Sequence, residues 1–321
     1  MPMPDLLNLA LSAVRDTDSG RVPDLPQTSV DPDPDKLAVS IMTGDGRRFG
    51  AGDEDAVFSI QSMSKAFVYA MALESRGFEA VDALVDVEPS GESYDAISVH
   101  PGTGRPDNPM INAGAMMTHS LIGQPGAGAE EREAIILDTF SRLAGRRLTI
   151  DEGVFEAEIE QAHRNLAIAH LLKSAGGLTE DPVEVTRGYT RQCAIAVTTP
   201  DLAAMAATLS GAGVQPETGE RVFSARVVRL VLSVMMACGM YDSAGDWISD
   251  VGIPAKSGVS GGIIGAVPGR AGIATYSPRL DEVGTSVRGE LLFERLADTL
   301  GLHFVDAQHR DNLRWDDTLL A

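Results

Sequence analysis

Apolar positions fall into three regimes along the chain. Residues 5–15 repeat at helical spacing and predict a short first helix. A Pro/Asp-rich connector covers 20–35. The run KLAVSIMT (36–43), the turn GDG (44–46) and RRFGAG then predict a β-hairpin. A short apolar run, VFSI (57–60), precedes a change to helical period at SKAFVYAMALES (64–75). From there to about residue 245 the pattern is mostly helical. AGAMMTHSLIG, EEREAIILDTFSRLA, VFEAEIEQAHRNLAIAHLLKS, TPDLAAMAATLSG and SARVVRLVLSVMMACG all carry the 3.6-residue period. Gly- and Pro-bearing loops at 101–109, 121–128, 175–182 and 211–220 separate them. Beyond residue 247, ISDVGIPAKSG, GGIIGAVPG and AGIATYSP predict three short strands, and SVRGELLFERLADTL (286–300) a closing helix. The tail from Asp306 is polar, with Trp315 as a candidate for docking on the domain.

Strands at both ends and helices between them predict an α+β fold. The N- and C-terminal segments are expected to build one antiparallel sheet, with a helical domain inserted between them. The expected division is 1–65 with 246–321, against 66–245, with an active site at the junction.

Charge narrows the function. The 321 residues carry a formal net charge of −20, which repels phosphate backbones and anionic membranes. Neither nucleic acid nor membrane is therefore an expected partner. The N-terminus lacks a basic region before its apolar residues, and the uncharged stretch 108–129 is broken by polar residues, Gly and Pro. A cytoplasmic protein is expected. Cys193 and Cys238 form no CxxC and read as buried thiols, and the six histidines show no metal-ligand spacing. His163 and His170 read as a solvated helix face. No metal and no cofactor are expected.

Only four residues are lysine: Lys36, Lys65, Lys173 and Lys256. Two of them lie in motifs; Lys36 and Lys173 read as surface residues. Ser62-Met63-Ser64-Lys65 is an S-x-x-K arrangement at a predicted helix start. That spacing puts Ser62 and Lys65 on one helix face, and free backbone N–H groups beside Ser62 suit a developing oxyanion. A desolvated lysine can act as the base. Lys256-Ser257-Gly258 lies on a predicted strand, where such a segment lines the pocket opposite the nucleophile and adds positive potential. Alone, each fits an ordinary helix start or strand end. Together, in this order and context, they point to serine acyl transfer. A competing pattern, Gly258-Val259-Ser260-Gly261-Gly262, matches the G-x-S-x-G elbow, with Asp281 and His303 or His309 following. An elbow needs a helix after its turn, whereas GGIIGAV predicts a strand.

Around Ser62 and Lys65 the chain resembles the serine-dependent glutaminases, which have a β-lactamase-like fold. FSIQSMSKAF (58–67) is similar to their catalytic segment. VEPSG (87–91), NPMINAGAM (108–116), RNLAIAHLL (164–172), AATLSGAG (206–213), TGERV (218–222), CGMYD (238–242) and PAKSGVSGGI (254–263) follow in order. The resemblance spans about residues 20–305 and is to a bacterial short form. It implies Ser62 as nucleophile, Lys65 as base, and the N–H groups of Ser62 and Val259 as oxyanion hole. It implies Tyr241 beside the nucleophile, and Asn112, Glu158, Asn165 and Tyr189 on the amino-acid end of L-glutamine. A homo-oligomer, dimer or tetramer, is implied as well.

The residue types suit that substrate. A free amino acid needs an anionic acceptor for its ammonium, which Glu158 supplies, and donors for its carboxylate, from Asn112, Asn165 and Tyr189. Glu158 and Asn165 are seven apart on one predicted helix, so both can face one pocket. Two departures stand out. Leu25 replaces a family tyrosine, and Ala162-His163 replaces Gly-Asp before the RN pair. The rivals are another S-x-x-K amidase or β-lactamase-like hydrolase, and a non-catalytic glutamine-binding protein.

Overall fold

A computed structural model of the chain describes residues 1–22, 33–90, 95–97, 99–100 and 102–306. Helix α1 (Met3–Val14) leads into the hairpin β1 (Ala38–Thr43) and β2 (Arg48–Gly52), then β3 (Phe58–Ser59). Next come α2 (Ser64–Arg76), α3 (Phe78–Asp82), α4 (Asn112–Ser120), α5 (Ala129–Ala144) and β4 (Thr149–Ile150). Helices α6 (Glu152–Glu160), α7 (His163–Ser174) and α8 (Pro182–Cys193) follow, then β5 (Ile195–Val197), α9 (Thr199–Ser210), α10 (Ala225–Cys238) and α11 (Ala244–Asp250). The chain returns through β6 (Ala255–Ser257), β7 (Gly262–Val267) and β8 (Ala271–Tyr276) to α12 (Val287–Leu300). Local sequence starts several helices. Asp151 and Asp181 accept hydrogen bonds from the first free N–H groups of α6 and α8, and Thr198 and Asp201 form a reciprocal capping box on α9.

The expected sheet is present. Its order is β2-β1-β8-β7-β6, all neighbours antiparallel, so strands from the two ends of the chain pair at its centre, Ile41 opposite Ile273. Strands β1, β7 and β8 are buried at every position because helices cover both faces. Ala38, Met42, Ile264 and Ala274 face the core shared with α2, α9 and α10. Val39, Ile41, Ile263 and Ile273 face the other core, with α1, α11 and α12. Helix α9 packs against β1, β7 and β8 although it comes from the middle of the chain.

Three expectations change. The strand expected from residue 248 is instead the end of α11; Trp247 is buried and donates to Ile253 O, and only Ala255–Ser257 is strand. The single helix expected over 154–174 breaks after Glu160. Gln161 N and Ala162 N bond three residues back, to Glu158 O (3.2 Å) and Ile159 O (3.3 Å), which tightens the last turn and ends α6. Glu158 and Asn165 therefore sit on different helices, and a common helix face is not what aligns them. A second sheet, β3-β5-β4, joins the helical region to the segment before Ser62. Its strands of two or three residues are too short for periodicity to reveal.

Lys36 pairs with Asp53, and Lys173 donates to the carbonyls of Thr179 and Glu180, as surface residues. Cys193 and Cys238 are buried free thiols. Leu25, His309 and Trp315 lie outside the described residues. Among the described residues, no single helix is long and apolar enough to cross a membrane.

Candidate active site

Ser62 occupies a 3-10 turn, Gln61–Met63, between β3 and α2. The turn is tight because Gln61 adopts φ +51°, a left-handed conformation that a side chain disfavours. Ser62 is 8% exposed, whereas Lys65, one turn later on α2, is fully buried. Lys65 Nζ donates to Asn112 Oδ1 at 2.7 Å and lies 3.2 Å from the Tyr241 hydroxyl. Burial removes water from the ammonium and pushes its pKa down to about 7, against the weaker opposing pull of Cys193 and Asp95.

Asn112, the first residue of α4, ties the group together. Its Oδ1 also accepts from the Tyr189 hydroxyl (3.3 Å), and its Nδ2 donates to Asn165 Oδ1 at 3.0 Å. Tyr241 holds φ +55°, a second left-handed side-chain residue. Lys256, fully buried on β6, lies 3.6 Å from the centroid of the Tyr241 ring and donates to Ser257 O at 2.9 Å. Burial, then the charge on Lys65, holds Lys256 well below the usual lysine range. Its Nζ is aimed at an aromatic face and a carbonyl.

The turn after β6 closes by Gly258 N to Gly262 O and Gly261 N to Gly258 O, both 2.9 Å. Gly258 packs onto the Ser62 turn so closely that a Cβ there would lie 3.2 Å from Ile60 O and 3.3 Å from Gln61 Cβ. Half-buried Val259 therefore follows directly on the residue touching that turn. Glu158, near the end of α6, accepts from Gln61 Nε2, which also donates to Ser59 Oγ at 3.0 Å. Burial pushes Glu158 up to about 7, and the bond from Gln61 opposes this. Burial likewise lifts the Tyr189 hydroxyl well above its usual range, so it stays a donor.

No motif in the sequence marks Gln61 as part of the site. Its only linear signal is adjacency to Ser62; the contact with Glu158 spans 97 residues. His163 is exposed at the start of α7. The G-x-S-x-G pattern does not build a triad. Ser260 is fully buried and is followed by β7, the Asp281 carboxylate accepts from Val283 N and Thr285 N, and His303 Nε2 donates to Ile248 O. Among the described residues no group of three or more His, Cys, Asp or Glu could hold a metal ion.

The chain matches known proteins along nearly its whole length. The sequence model of the family described as Glutaminase matches residues 20–304. A glutaminase from Corynebacterium glutamicum is 49% identical over 96% of this chain and 74% of its own. One from Clavibacter michiganensis is 48% identical over 92% and 90%. A crystal structure of Mglu in its glutamate form superposes with TM-score 0.92 at 46% identity, covering 96% of this chain and 71% of the other. The probable glutaminase ybaS gives TM-score 0.89 at 36% identity, covering 95% and 98%.

Proposed function

This chain belongs to the glutaminase family and hydrolyses L-glutamine to L-glutamate and ammonia, and we propose that it does so through an acyl-enzyme on Ser62 with Lys65 as base. The observation that carries this mechanism is Lys65 itself. It is fully buried one turn after Ser62, has a pKa near neutrality, and is bound to Asn112 and Tyr241. A neutral lysine beside a serine is a base, whereas a solvated ammonium is not.

In this reading Ser62 Oγ attacks the γ-carboxamide carbon and its proton passes to Lys65. The N–H groups of Ser62 and Val259 hold the oxyanion, each worth about 3–4 kcal/mol in such sites. The C–N bond breaks, and the proton on Lys65 reaches the leaving nitrogen by way of the Tyr241 hydroxyl, so ammonia departs. Water then attacks the γ-glutamyl ester while Lys65 takes its proton; as the ester C–O bond breaks, Lys65 returns that proton to Ser62 Oγ, and glutamate is released. Lys256 packs on the Tyr241 ring and braces it. Glu158 accepts the α-ammonium, and Asn112, Asn165 and Tyr189 face the α-carboxylate. No cofactor takes part. The pocket lies where the terminal sheet segments meet the helical segment, and the enzyme works in the cytoplasm as a homo-oligomer, a dimer or tetramer.

Ammonia release from glutamine, with asparagine as control, combined with mass analysis of acid-quenched enzyme, tests the mechanism. A γ-glutamyl adduct on the Ser62 peptide is expected, and added hydroxylamine should divert it to free γ-glutamyl hydroxamate; turnover with an adduct elsewhere, or with no hydroxamate formed, would sink it. Tyr241→Phe should lower kcat about 10²-fold with little change in KM, because it removes a proton path and leaves the ring on Lys256. An unchanged kcat would remove Tyr241 from the proton path.

The pH dependence has a definite sign. Lys65 works when deprotonated and Glu158 when ionised; each titrates near 7, so both active forms prevail above about 7 and are lost below it. The kcat/KM profile should therefore fall on the acid side with a slope approaching about 2 per pH unit. Glu158→Gln should reduce that slope to about 1. A pH-independent kcat/KM between 5 and 8 would contradict both assignments.

A further inference from the structure

Three helices that hold the site each send a second polar side chain into a further buried network. Helix α2 carries Ser64 beside Lys65. Helix α4 carries His119 seven residues after Asn112, and α8 carries Gln192 three residues after Tyr189. Ser64, His119 and Gln192 are 0%, 2% and 2% exposed. Gln192 Nε2 donates to Ser64 Oγ at 2.9 Å. Its Oε1 consequently faces His119, and His119 Nδ1, 2.9 Å away, carries the hydrogen between them. Burial holds the imidazole down at about 4, so it is neutral in this chain of bonds. The opposite side of the ring is hemmed in: a Cβ on Gly188 would lie 2.5 Å from His119 Nε2. A glycine inside a helix weakens it, and here the approach of α8 to the ring requires one. The hydrolytic steps above use none of these three side chains.

We propose that His119 and Gln192 are positioning residues for glutamine hydrolysis, holding through Ser64 the helix turn that bears Ser62 and Lys65. The proposal rests on the assignment of Ser62 and Lys65 made above. Helix α2 starts without a side-chain cap, so its first turn lacks that local anchor. Ser64 lies in that turn between nucleophile and base, and its hydroxyl is fixed from α8. The spacings of three and seven residues keep both networks on one face of α4 and one face of α8. A rotation of either helix that moved Asn112 or Tyr189 would break the His119–Gln192 contact as well. Nucleophile and base are sensitive to such shifts, since misplacement by about 1 Å costs on the order of 10²-fold in rate.

The test uses the full chain with His119→Leu, His119→Asn and Ser64→Ala, and Ser62→Ala as control. Melting temperature and glutamine kinetics are measured for each. Folded His119→Leu and Ser64→Ala should lose at least about fivefold in kcat with KM changed by less than about threefold. His119→Asn, whose Nδ2 can donate where Nδ1 did, should recover most of that kcat. A purely structural role would lower the melting temperature and leave kcat within about fivefold of the parent. That result, a loss carried by KM, or an asparagine variant no better than leucine would overturn the proposal. If His119→Leu does not fold, Ser64→Ala decides, because it removes one oxygen atom. An inactive Ser62→Ala alongside Ser64→Ala at full kcat defeats the positioning role alone. An active Ser62→Ala defeats the nucleophile assignment and this proposal with it.

Discussion

Ser62→Ala should lower ammonia release from glutamine at least about 10⁴-fold, with glutamate still bound. The size of the effect follows from what remains. The backbone N–H groups of Ser62 and Val259 and the side chains around Glu158 would survive the change, and such remnants sustain only a small part of the rate. Without Oγ no ester forms, and the covalent route is lost. The substitution removes a single oxygen from a turn fixed by β3 and α2 on either side, so the fold should persist. Lys65→Met, which keeps the volume of the buried stem, should be similarly inactive. It lacks the basic nitrogen and leaves Asn112 Oδ1 without its 2.7 Å donor. Initial ammonia rates and calorimetric glutamate binding, measured on the same samples, check the pair. Ser62→Ala within tenfold of the parent rate would end the acyl-enzyme reading.

Glu158→Gln should cost about 10²–10³-fold in kcat/KM, mostly through KM. Losing one member of a desolvated, hydrogen-bonded charge pair costs about 2–5 kcal/mol, and about 1.4 kcal/mol is tenfold. The carboxylate is held toward Gln61 in an environment that already raises its pKa to about 7, so little water stands ready to replace it. An arriving α-ammonium would stabilise the ionised form and supply the charge that burial opposes. The neutral amide of the variant has no ionised form to offer. Steady-state kinetics on glutamine and on an analogue lacking the α-amino group separate the effects: the parent should discriminate strongly between them, the variant weakly. A variant with unchanged KM for glutamine would place the ammonium elsewhere.

Much of the fold was legible in the sequence because it is encoded locally. The hairpin over 36–52 announced itself by an apolar run ending in the turn Gly44-Asp45-Gly46, and α2, α5, α9, α10 and α12 by the 3.6-residue period. What escaped had no local signal. The 161–162 break contains neither Gly nor Pro and arises from a change of hydrogen-bond partner. The end of α11 carries Ile248 and Val251, which read as strand, but burial of Trp247 fixes it as helix. In the site, the S-x-x-K and K-S-G strings marked Ser62, Lys65 and Lys256, and the wider resemblance marked the remaining residues. Neither pointed to Gln61, nor to the buried His119–Gln192–Ser64 chain.

The sequence by itself determined the covalent neighbours: Ser62 three residues before Lys65, strands at both ends, and a run of helices between them. Those are properties of chain spacing, and spacing is local. The tertiary structure decided what the groups became. Lys65 meets Asn112 across 47 residues and Tyr241 across 176, contacts that no periodicity encodes. Packing also excluded water from Lys65 and Glu158, moving a lysine and a carboxyl from opposite ends of the pH scale to about 7. A pKa belongs to a residue's surroundings as much as to its type, and those surroundings exist only once the helices and the sheet have closed around them.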